Sequence, residues 1–311
     1  MYTISIIGLG FIGLTHLKAL KEIPKKFKLL GYYDKEDHKV NLMRYSTFKK
    51  LLNDKPDVVV ISTPSYTHIK IAEICIFAGI KNIIIEKPIS FFNKDLIKLK
   101  KISKSRKVKI FSVNQLRFKK NFQNLFKIIK SKKFGDPFFV NMNSLLNRDK
   151  NYFKKSTWKG IKRFDGGFLF NQFYHNIDIA CWLFGRPTNY KSVMMSIKNK
   201  MKDTGSAQLI YNKKKLIINF NFTICVHKKN YEQSIIVLFE KGTLVINNNF
   251  TELVLLDGKT KNKKIKIKSK KEDDFVLFYN GIYKKIKMQK LKFDSIEESR
   301  RNISLINKLY K

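Results

Sequence analysis

The sequence predicts two domains: a doubly wound α/β domain with a parallel sheet, and an α+β domain with a large, mostly antiparallel, open-faced sheet. Short β-branched runs alternate with helical segments up to about residue 118, as in a sheet that is covered on both faces. A glycine loop, GLGFIG, follows the first run. Beyond residue 118 the pattern changes to strands joined by turns, and 311 residues suffice for two cores. We therefore place the domains at 1–118 and 119–311.

In the first domain, strands are predicted where apolar β-branched residues run without interruption. Helices are predicted between them, with Thr67 and Asn93 as caps and Pro24 as a terminator. The predicted strands are 3–7, 27–33, 57–62, 82–86 and 108–113, and the predicted helices are 14–20, 67–78 and 93–103.

The second domain opens with a predicted helix at 121–130, a Gly135-Asp136-Pro137 turn and a strand at 138–143. An irregular stretch then leads to a helix at about 175–183. Strands joined by turns such as 213–215, Gly242 and 247–249 are predicted from 190 to about 290. A helix at 296–310 closes the domain, and we allow for this helix packing back on the first domain.

The formal net charge of +40 raises the question of an anionic partner. The excess is present in both halves of the chain, and no nucleic-acid-binding module is recognisable. The densest basic run, at 259–271, alternates Lys with Ile265 and Ile267, which is typical of an exposed edge strand protected by charge. We interpret the charge as solvated surface that would help to recruit a phosphorylated substrate, and we expect no nucleic-acid partner.

The cellular location and the absence of a metal site are predicted from the apolar runs and the cysteine spacing. Met1 leads directly into the first strand, and no apolar run is long enough to cross a bilayer. Cys75, Cys181 and Cys225 are widely spaced within apolar stretches, so we expect buried free thiols and no disulfide or metal site. These observations predict a cytoplasmic protein without a membrane partner.

The glycine loop predicts a dinucleotide site, because it follows a strand and opens a helix. Gly8 permits the tight turn, Gly10 lets a pyrophosphate approach the backbone, and Gly13 allows close helix–sheet packing. With Phe11 and Ile12, the loop also places free N–H groups at the helix N-terminus. Asp34, twenty-one positions after Gly13, suits the ribose hydroxyls of NAD and would repel the 2′-phosphate of NADP. Lys35 weakens that preference, and Asp34 could instead be a turn residue.

Further segments make a resemblance to a known family specific. They are VISTP at 60–64 with His68, EKP at 86–88, NQLR at 114–117, DGG at 165–167, NQFYH at 171–175 with Asp178, and EKGT at 240–243. In this order and spacing the chain resembles the glucose–fructose oxidoreductase/inositol dehydrogenase (Gfo/Idh/MocA) family. The resemblance implies a Rossmann domain, an open-faced sheet domain with the active site between them, and a homo-oligomer such as a dimer or tetramer.

The resemblance also implies the chemistry, in which a sugar hydroxyl loses a proton while hydride leaves the same carbon for the nicotinamide. His175 falls at the family's catalytic position, and imidazole can accept and return a proton near neutral pH; a lone His on a helix would otherwise be a core residue. Lys87 would stabilise the negative charge on the reacting oxygen. The Lys–Pro bond of this motif is often cis in the family.

One departure from the family pattern narrows the substrate. Many relatives carry Asp four residues before the histidine, whereas this chain has Asn171, which cannot act as a base. Together with Arg148, Tyr152 and STWKG at 156–160, Asn171 and Gln172 resemble the branch that oxidises the 3-hydroxyl of UDP-linked N-acetylamino sugars or their uronates. Cofactor contacts are then implied for Ser62, Thr63, Pro64, His68, Glu86, Lys87 and Trp158, and substrate contacts for Lys87, Asn114, Arg117, Arg163, Asn171, Gln172 and His175. Lys159 is a candidate for either kind of contact.

Other functions stay open at this point. The chain could oxidise a free sugar or a cyclitol such as inositol. It could also be a regulator that senses a dinucleotide without turnover, although a sensor has no need of both Lys87 and His175. A polyanion-binding protein is the last alternative, and its affinity would fall steeply with salt.

Overall fold

The structure, a computed structural model, describes residues 1–154, 156–247, 252–257, 264–268, 273–288 and 294–310. The described chain divides into two units, Met1–Gln115 with Asp273–Ile303, and Leu116–Glu272 with residues from 304 on. The first unit therefore ends close to the predicted boundary at residue 118. It also takes in residues 273–303, which the sequence analysis had placed in the second domain.

The first unit is a five-stranded parallel sheet in the order β2-β1-β3-β4-β5. Its strands are β1 (Tyr2–Ile7), β2 (Phe27–Tyr33), β3 (Val58–Ile61), β4 (Asn82–Ile85) and β5 (Lys109–Ser112). Its N-terminal helices are α1 (Phe11–Lys21), α2 (Phe48–Asn53), α3 (His68–Phe77) and α4 (Asn93–Ser105). β2 and β3 lie on opposite sides of β1 in the sheet. The strand order therefore reverses at β1, and the loops after β1 and β3 lie together at this switch point, where sheets of this kind bind ligands.

All five predicted strands of this unit are present, and the residues at their centres are buried. Ile4, Val59, Val60 and Ile84 are each fully buried, which confirms a sheet covered on both faces. The short helix α2 was not predicted. It is stabilised locally by the side chain of Thr47, which accepts a hydrogen bond from the N–H of Lys50 at 3.2 Å.

Residues 274–287 correct the prediction of strands up to about residue 290. They form helix α10 (Asp274–Lys287), and the side chain of Asp273 caps it by accepting from the N–H of Phe275 at 2.8 Å. Its buried residues, Phe275, Phe278, Tyr279, Ile282 and Ile286, recur at helical spacing. The final helix, α11 (Ser295–Leu309), runs from the first unit into the second.

The second unit is an eight-stranded sheet in the order β13-β12-β11-β10-β6-β9-β8-β7, antiparallel except for the β6–β9 pair. Its strands are β6 (Pro137–Leu145), β7 (Asn189–Met195), β8 (Thr204–Tyr211), β9 (Leu216–Thr223), β10 (Glu232–Phe239), β11 (Gly242–Asn247), β12 (Glu252–Asp257) and β13 (Lys264–Lys268). Its helices are α5 (Lys120–Ser131), α6 (Lys150–Lys154), α7 (Lys162–Asp165), α8 (Phe168–Asn171) and α9 (Tyr174–Phe184). β13 lies at the sheet edge, as predicted for the basic run, whose residues 259–263 and 269–271 lie outside the described residues.

The two faces of this sheet differ in polarity. Val140, Leu209, Ile218 and Val237 are fully buried on one face. On the other face amides pair across strands, and Asn221 Nδ2 donates to the Oδ1 atoms of Asn141 and Asn143 at 3.2 and 3.1 Å. The sheet is therefore open-faced, as predicted.

Three further predictions concern groups outside the sheets. All three cysteines are free thiols; Cys75 and Cys181 are buried, whereas Cys225 is half-buried. In the described ranges, His, Cys, Asp and Glu side chains form no group that could hold a metal ion. Within the same ranges, every helix is too short or too polar to cross a membrane.

Candidate functional site

The glycine loop after β1 is built so that two glycines are packed and one is open. Gly8 has a φ of +89°, and a Cβ there would lie 2.8 Å from the backbone nitrogen of Thr63. A Cβ on Gly13 would lie 2.2 Å from the carbonyl oxygen of Gly8. A Cβ on Gly10 would meet nothing within 4 Å, and Gly10 is exposed. The loop therefore fits a group that approaches the backbone at Gly10.

Helix α1 begins directly after this open glycine. Gly10 is its N-cap and offers no side chain to the first turn, and the side chain of Phe11 is 86% exposed. The N–H groups at the start of a helix have no partner within the helix, and the helix dipole favours an anion there. The residues predicted to hold the pyrophosphate, from Gly8 to Gly13, therefore form one open helix N-terminus.

Asp34 follows β2 and its carboxylate reaches the glycine loop. Oδ2 accepts a hydrogen bond from the N–H of Leu9 at 2.5 Å and lies 3.4 Å from His38 Nε2, while Oδ1 accepts from the N–H of Glu36 at 3.0 Å. The side chain is only partly buried. Asp34 is thus more than a turn residue, because it carries a negative charge to the rim of the loop where a ribose is expected.

The segment after β3 joins the glycine loop to the EKP segment. Ser62 Oγ donates to the carbonyl of Gly8 at 2.7 Å, and Thr63 Oγ1 is 2.7 Å from Thr67 Oγ1. The two ring nitrogens of His68 lie 2.9 Å from the carbonyl of Pro88 and 2.8 Å from that of Thr63. Burial lowers the pKa of His68, although both carbonyls oppose the shift. A neutral imidazole has one N–H, so His68 donates to one of these two carbonyls at a time, and its ring lies between the two backbone segments.

The EKP segment follows β4 and contains a cis Lys87–Pro88 bond, as the resemblance implied. Glu86 is 6% exposed; its Oε2 accepts the N–H of Lys87 at 3.0 Å, and its Oε1 lies 3.1 Å from His16 Nε2. Lys87 is half-buried. His16 was not predicted as a site residue; it lies three residues beyond Gly13, the last residue of the GLGFIG motif.

Asn114 follows β5 in the same unit and is 2% exposed. Its Oδ1 accepts from Ser112 Oγ at 3.4 Å, and its Nδ2 has no hydrogen-bond partner among the described residues. A buried amide group without a partner is costly and is expected to meet a ligand or a water.

In the second unit, Asn171 and Gln172 are ordered by a chain of hydrogen bonds. Gln172 Oε1 accepts from Arg148 Nε at 2.7 Å, and Gln172 Nε2 donates to Tyr152 Oη at 2.8 Å and Asn171 Oδ1 at 2.9 Å. Asn171 Nδ2 in turn donates to Asp165 Oδ2 at 3.4 Å. The chain fixes both amide groups in one orientation.

Asp165 holds the loop that contains WKG and DGG. Its carboxylate accepts from the N–H of Gly160 at 2.6 Å and the N–H of Gly167 at 2.7 Å. Burial raises the pKa of Asp165, and these hydrogen bonds only partly counter the shift. Asp165 belongs to the DGG segment of the family resemblance, and this structural role was not predicted for it.

These residues line a cavity of about 370 Å³. Five lysines surround it, namely Lys150, Lys154, Lys159, Lys200 and Lys202, together with Tyr152, Phe153, Asn171, Gln172, Asp165 and Asp203. Lys159 Nζ lies 4.4 Å from the centre of the Tyr152 ring, and burial lowers the pKa of Lys159 with a smaller effect of Arg148. The cavity is thus basic with one aromatic wall.

Asp203 supplies the second carboxylate in the cavity lining, and it also accepts hydrogen bonds from backbone N–H groups. Asp203 is 1% exposed and accepts from the N–H groups of Ile197, Lys198 and Asn199 at 2.8 to 2.9 Å. Burial opposes the charged form, but these N–H groups prevail and lower the pKa of Asp203. Asp203 therefore shapes the loop that carries Lys200 and Lys202, and both of its oxygens accept from backbone N–H groups.

Three predicted site residues of this unit lie apart from the cavity or are already engaged. Trp158 and Arg163 are not among the described residues that line the cavity. The guanidinium of Arg163 is exposed and lies 4.4 Å from the centre of the Phe164 ring. Arg117 is 6% exposed, and its Nε and Nη2 donate to Asp178 at 2.8 and 2.5 Å. Arg117 is therefore engaged in a buried ion pair, and its predicted substrate contact stays a prediction. A buried carboxylate on α9 could not be foreseen as its partner from the sequence.

His175 is the second residue of α9 and is half-buried. Its ring centre lies 6.4 Å from that of Tyr174. The catalytic pairing of Lys87 with His175 stays a prediction, since the two residues belong to different units.

Two family models match the chain. The model described as the oxidoreductase family with an NAD-binding Rossmann fold matches residues 2–115, and that described as the GFO/IDH/MocA C-terminal domain matches 122–245. The chain spans about half the length of the first curated relatives it matches, three oxidoreductases covered over 51% to 52% of their length. The myo-inositol 2-dehydrogenase of Thermotoga maritima is 25% identical over 82% of this chain and 78% of its own length.

Two solved structures share the fold along nearly the whole chain. The WlbA dehydrogenase of Bordetella pertussis, in complex with NADH and UDP-GlcNAcA, superposes with a TM-score of 0.86 at 21% identity, covering 99% of this chain and 94% of that one. The UDP-N-acetylglucosamine 3-dehydrogenase GnnA of Acidithiobacillus ferrooxidans gives 0.82 at 18% identity, with coverage of 99% and 96%. At these identities the likeness establishes the fold alone.

Proposed function

Because the chain belongs to the Gfo/Idh/MocA family of NAD-binding oxidoreductases, we propose that it oxidises the 3-hydroxyl of a UDP-linked N-acetylamino sugar or its uronate to the 3-keto form. The observation that carries the proposal is the basic cavity of the second unit. Its five lysines face two carboxylates whose oxygens are already bonded to backbone N–H groups. The cavity therefore attracts an anion of several charges.

The aromatic wall and the ordered amides add shape to this charge. Tyr152 and Phe153 present ring surface on which a planar base could stack, and Asn171 and Gln172 are held in one orientation by Arg148 and Asp165. A nucleoside diphosphate combines a planar base with a compact anion. Two solved relatives of the same fold have UDP-sugars named with them, which supports this substrate class.

In the proposed mechanism, His175 accepts the proton of the sugar hydroxyl, for which imidazole is suited near neutral pH. Lys87 donates a hydrogen bond to the same oxygen and stabilises its growing negative charge. Asn171 and Gln172 orient the sugar without exchanging a proton, because amides do not act as bases. When bound, NAD supplies the acceptor for hydride; Gly8, Gly10, Gly13 and Asp34 would hold it.

The test is a substrate panel with the purified protein, containing UDP-N-acetylglucosamine, its uronate, myo-inositol and a free hexose. We expect NAD-dependent turnover of a UDP-sugar and a product two mass units lighter by mass spectrometry. A 2-oxo acid such as 2-oxoglutarate is added as an acceptor, so that cofactor recycled in place does not hide the product. Oxidation of inositol alone would instead support the cyclitol alternative, which the Thermotoga relative favours.

Variants then separate chemistry from binding. Lys87→Ala and His175→Ala should each lower kcat by about a hundredfold or more, whereas the exposed controls Lys98→Ala and His227→Ala should not. Lys159→Met should raise the KM for the UDP-sugar about tenfold and leave NADH binding unchanged. If Lys87→Ala and His175→Ala kept full function in cells, a non-catalytic regulator would replace the enzyme.

A homo-oligomer is the remaining element of the proposal. The open face of the second sheet carries the amide ladder of Asn141, Asn143 and Asn221. Light scattering on the purified chain tests for a dimer or tetramer, and a monomer at all concentrations would contradict it.

A further inference from the structure

A fully buried histidine connects the glycine-loop helix to the EKP segment within the first unit. His16, on α1, has 0% of its surface exposed. Its Nε2 lies 3.1 Å from Glu86 Oε1, and its Nδ1 lies 2.7 Å from the hydroxyl of Tyr279 on α10. Glu86 continues the connection, because its Oε2 accepts the N–H of Lys87 at 3.0 Å. Three distant parts of the sequence thus form one chain of hydrogen bonds that ends at the backbone of Lys87.

The chemistry of the three groups fixes the direction of the hydrogen bonds. Burial raises the pKa of Tyr279 well above its ordinary value, with a smaller effect of Glu86, so the phenol keeps its proton and can donate it to His16 Nδ1. With Nδ1 of a neutral imidazole accepting from Tyr279, Nε2 carries the hydrogen and donates it to Glu86 Oε1. Every polar atom in the chain of bonds is then satisfied with His16 in one tautomer.

Two aromatic rings pack against the imidazole ring of His16 and hold it in one orientation. The ring of Phe275 meets it edge-on, with centres 4.9 Å apart and an interplanar angle of 86°, and Tyr279 meets it at 5.7 Å and 77°. Both aromatic residues come from α10, so this helix sets the orientation of a residue on α1.

We propose that His16 is a positioning residue for Lys87, acting through Glu86 and held in place by Tyr279. The inference rests on the proposed role of Lys87. Glu86 is 6% exposed, and a polar group buried at such a site needs hydrogen-bond donors to hold it in place. Without His16, the carboxylate of Glu86 is free to turn away from the N–H of Lys87. The backbone of Lys87 then lacks the hydrogen bond that holds it in position. If position 16 served only to fill the core, an apolar side chain of similar volume would do so without the free-energy cost of burying polar groups.

The experiment compares His16→Ala, His16→Gln and Tyr279→Phe with wild type. His16→Ala should lower kcat for the sugar about tenfold or more, since small misplacements of a catalytic group are costly, while the KM for NAD changes less than about threefold. Glutamine keeps an N–H donor for Glu86, so His16→Gln should recover most of the lost kcat. Tyr279→Phe keeps the ring and removes the donor, so its kcat should fall between the two.

A second measurement does not depend on turnover. Brief acetylation followed by peptide mass spectrometry reports how accessible Lys87 is, with Lys98 as the internal reference. His16→Ala should raise the relative labelling of Lys87 about threefold or more, because a released segment opens more often, and His16→Gln should not. The stability control is Asp57→Asn, which weakens the bonds from the N–H and Oγ1 of Thr3 at the opposite end of the same sheet. Asp57→Asn should lower Tm without changing kcat or Lys87 labelling.

The outcomes are distinguishable. If wild type turns over a sugar but His16→Ala keeps its kcat and its Lys87 labelling, His16 is a core residue only and the inference is overturned. If kcat falls equally in His16→Ala and His16→Gln with no change in labelling, the effect is not positioning. If wild type turns over no substrate, the proposed function fails, and the labelling of Lys87 alone decides whether His16 positions it.

Discussion

Alanine at Gly13 and alanine at Gly10 should separate the folding role of the glycine loop from its role in holding NAD. At Gly13 the new Cβ would lie 2.2 Å from the carbonyl oxygen of Gly8 and 3.3 Å from Ser62 Oγ. The first distance is about 1 Å shorter than a van der Waals contact, so α1 must move away from the loop. Overpacking of this kind costs about 1–3 kcal/mol, and each kcal/mol lowers Tm by about 2–4 °C in a domain of this size.

At Gly10 the same change meets nothing within 4 Å, and the backbone (φ −61°, ψ −166°) is one that alanine adopts freely. We therefore expect Gly10→Ala to keep its Tm within about 2 °C of wild type. The added methyl group would occupy the space through which a pyrophosphate reaches the helix N-terminus, and the affinity for NADH should fall about tenfold or more.

The assay is differential scanning calorimetry with NADH titration by fluorescence on both variants. Gly13→Ala should lose stability and NADH affinity together, whereas Gly10→Ala should lose affinity alone. If Gly10→Ala bound NADH as tightly as wild type, the pyrophosphate would not lie at Gly10, and the cofactor placement would be wrong.

Three further substitutions test charges described above. Asp34→Asn removes the negative charge at the ribose position, and the preference for NADH over NADPH should fall about tenfold, or 1.4 kcal/mol; an unchanged ratio in a binding titration would refute the ribose role. Asp178→Asn leaves Arg117 buried without its ion pair and should destabilise the second unit by about 3–5 kcal/mol in urea unfolding, and a loss below 1 kcal/mol would contradict this. The pKa of Asp203 is lowered in the folded state, so its stabilisation is present above the unfolded pKa and is lost as pH falls through the folded one. Asp203→Asn should therefore cost stability at pH 7 and little near pH 2, and an equal cost at both would show that its charge is irrelevant.

The parallel sheet was predictable because its signal is local. Each strand of the first unit is a short apolar run between turn residues, and burial on both faces leaves no alternation to misread. The glycine loop was predictable for the same reason, because its spacing alone sets the turn. The polar face of the second sheet followed from the resemblance, and the alternation of Asn141 and Asn143 with buried neighbours supports it.

What the sequence did not predict depends on distant partners. The ion pair of Arg117 with Asp178 was not predicted, because it joins residues 61 positions apart. His16 escaped notice because its partners, Glu86 and Tyr279, lie 70 and 263 positions away. Helix α10 was interpreted as part of a run of strands, since its apolar positions follow a segment rich in β-branched residues and lysine. The partners of Arg117 and His16 depend on tertiary contacts that no window of sequence contains, whereas the helical spacing of the apolar residues in α10 is local.

The membership of α10 in the first unit has a consequence for how the chain is made. The ribosome completes the parallel sheet by residue 112, yet Phe275 and Tyr279, which pack on His16, emerge only after the whole second sheet has been synthesised. At about 5–20 residues per second, roughly 8–35 s separate these two events. During that interval the surface of α1 that α10 later covers stays uncovered. A fragment ending at residue 118 would keep that surface exposed permanently, so the cofactor-binding half of this protein is not separable by truncation.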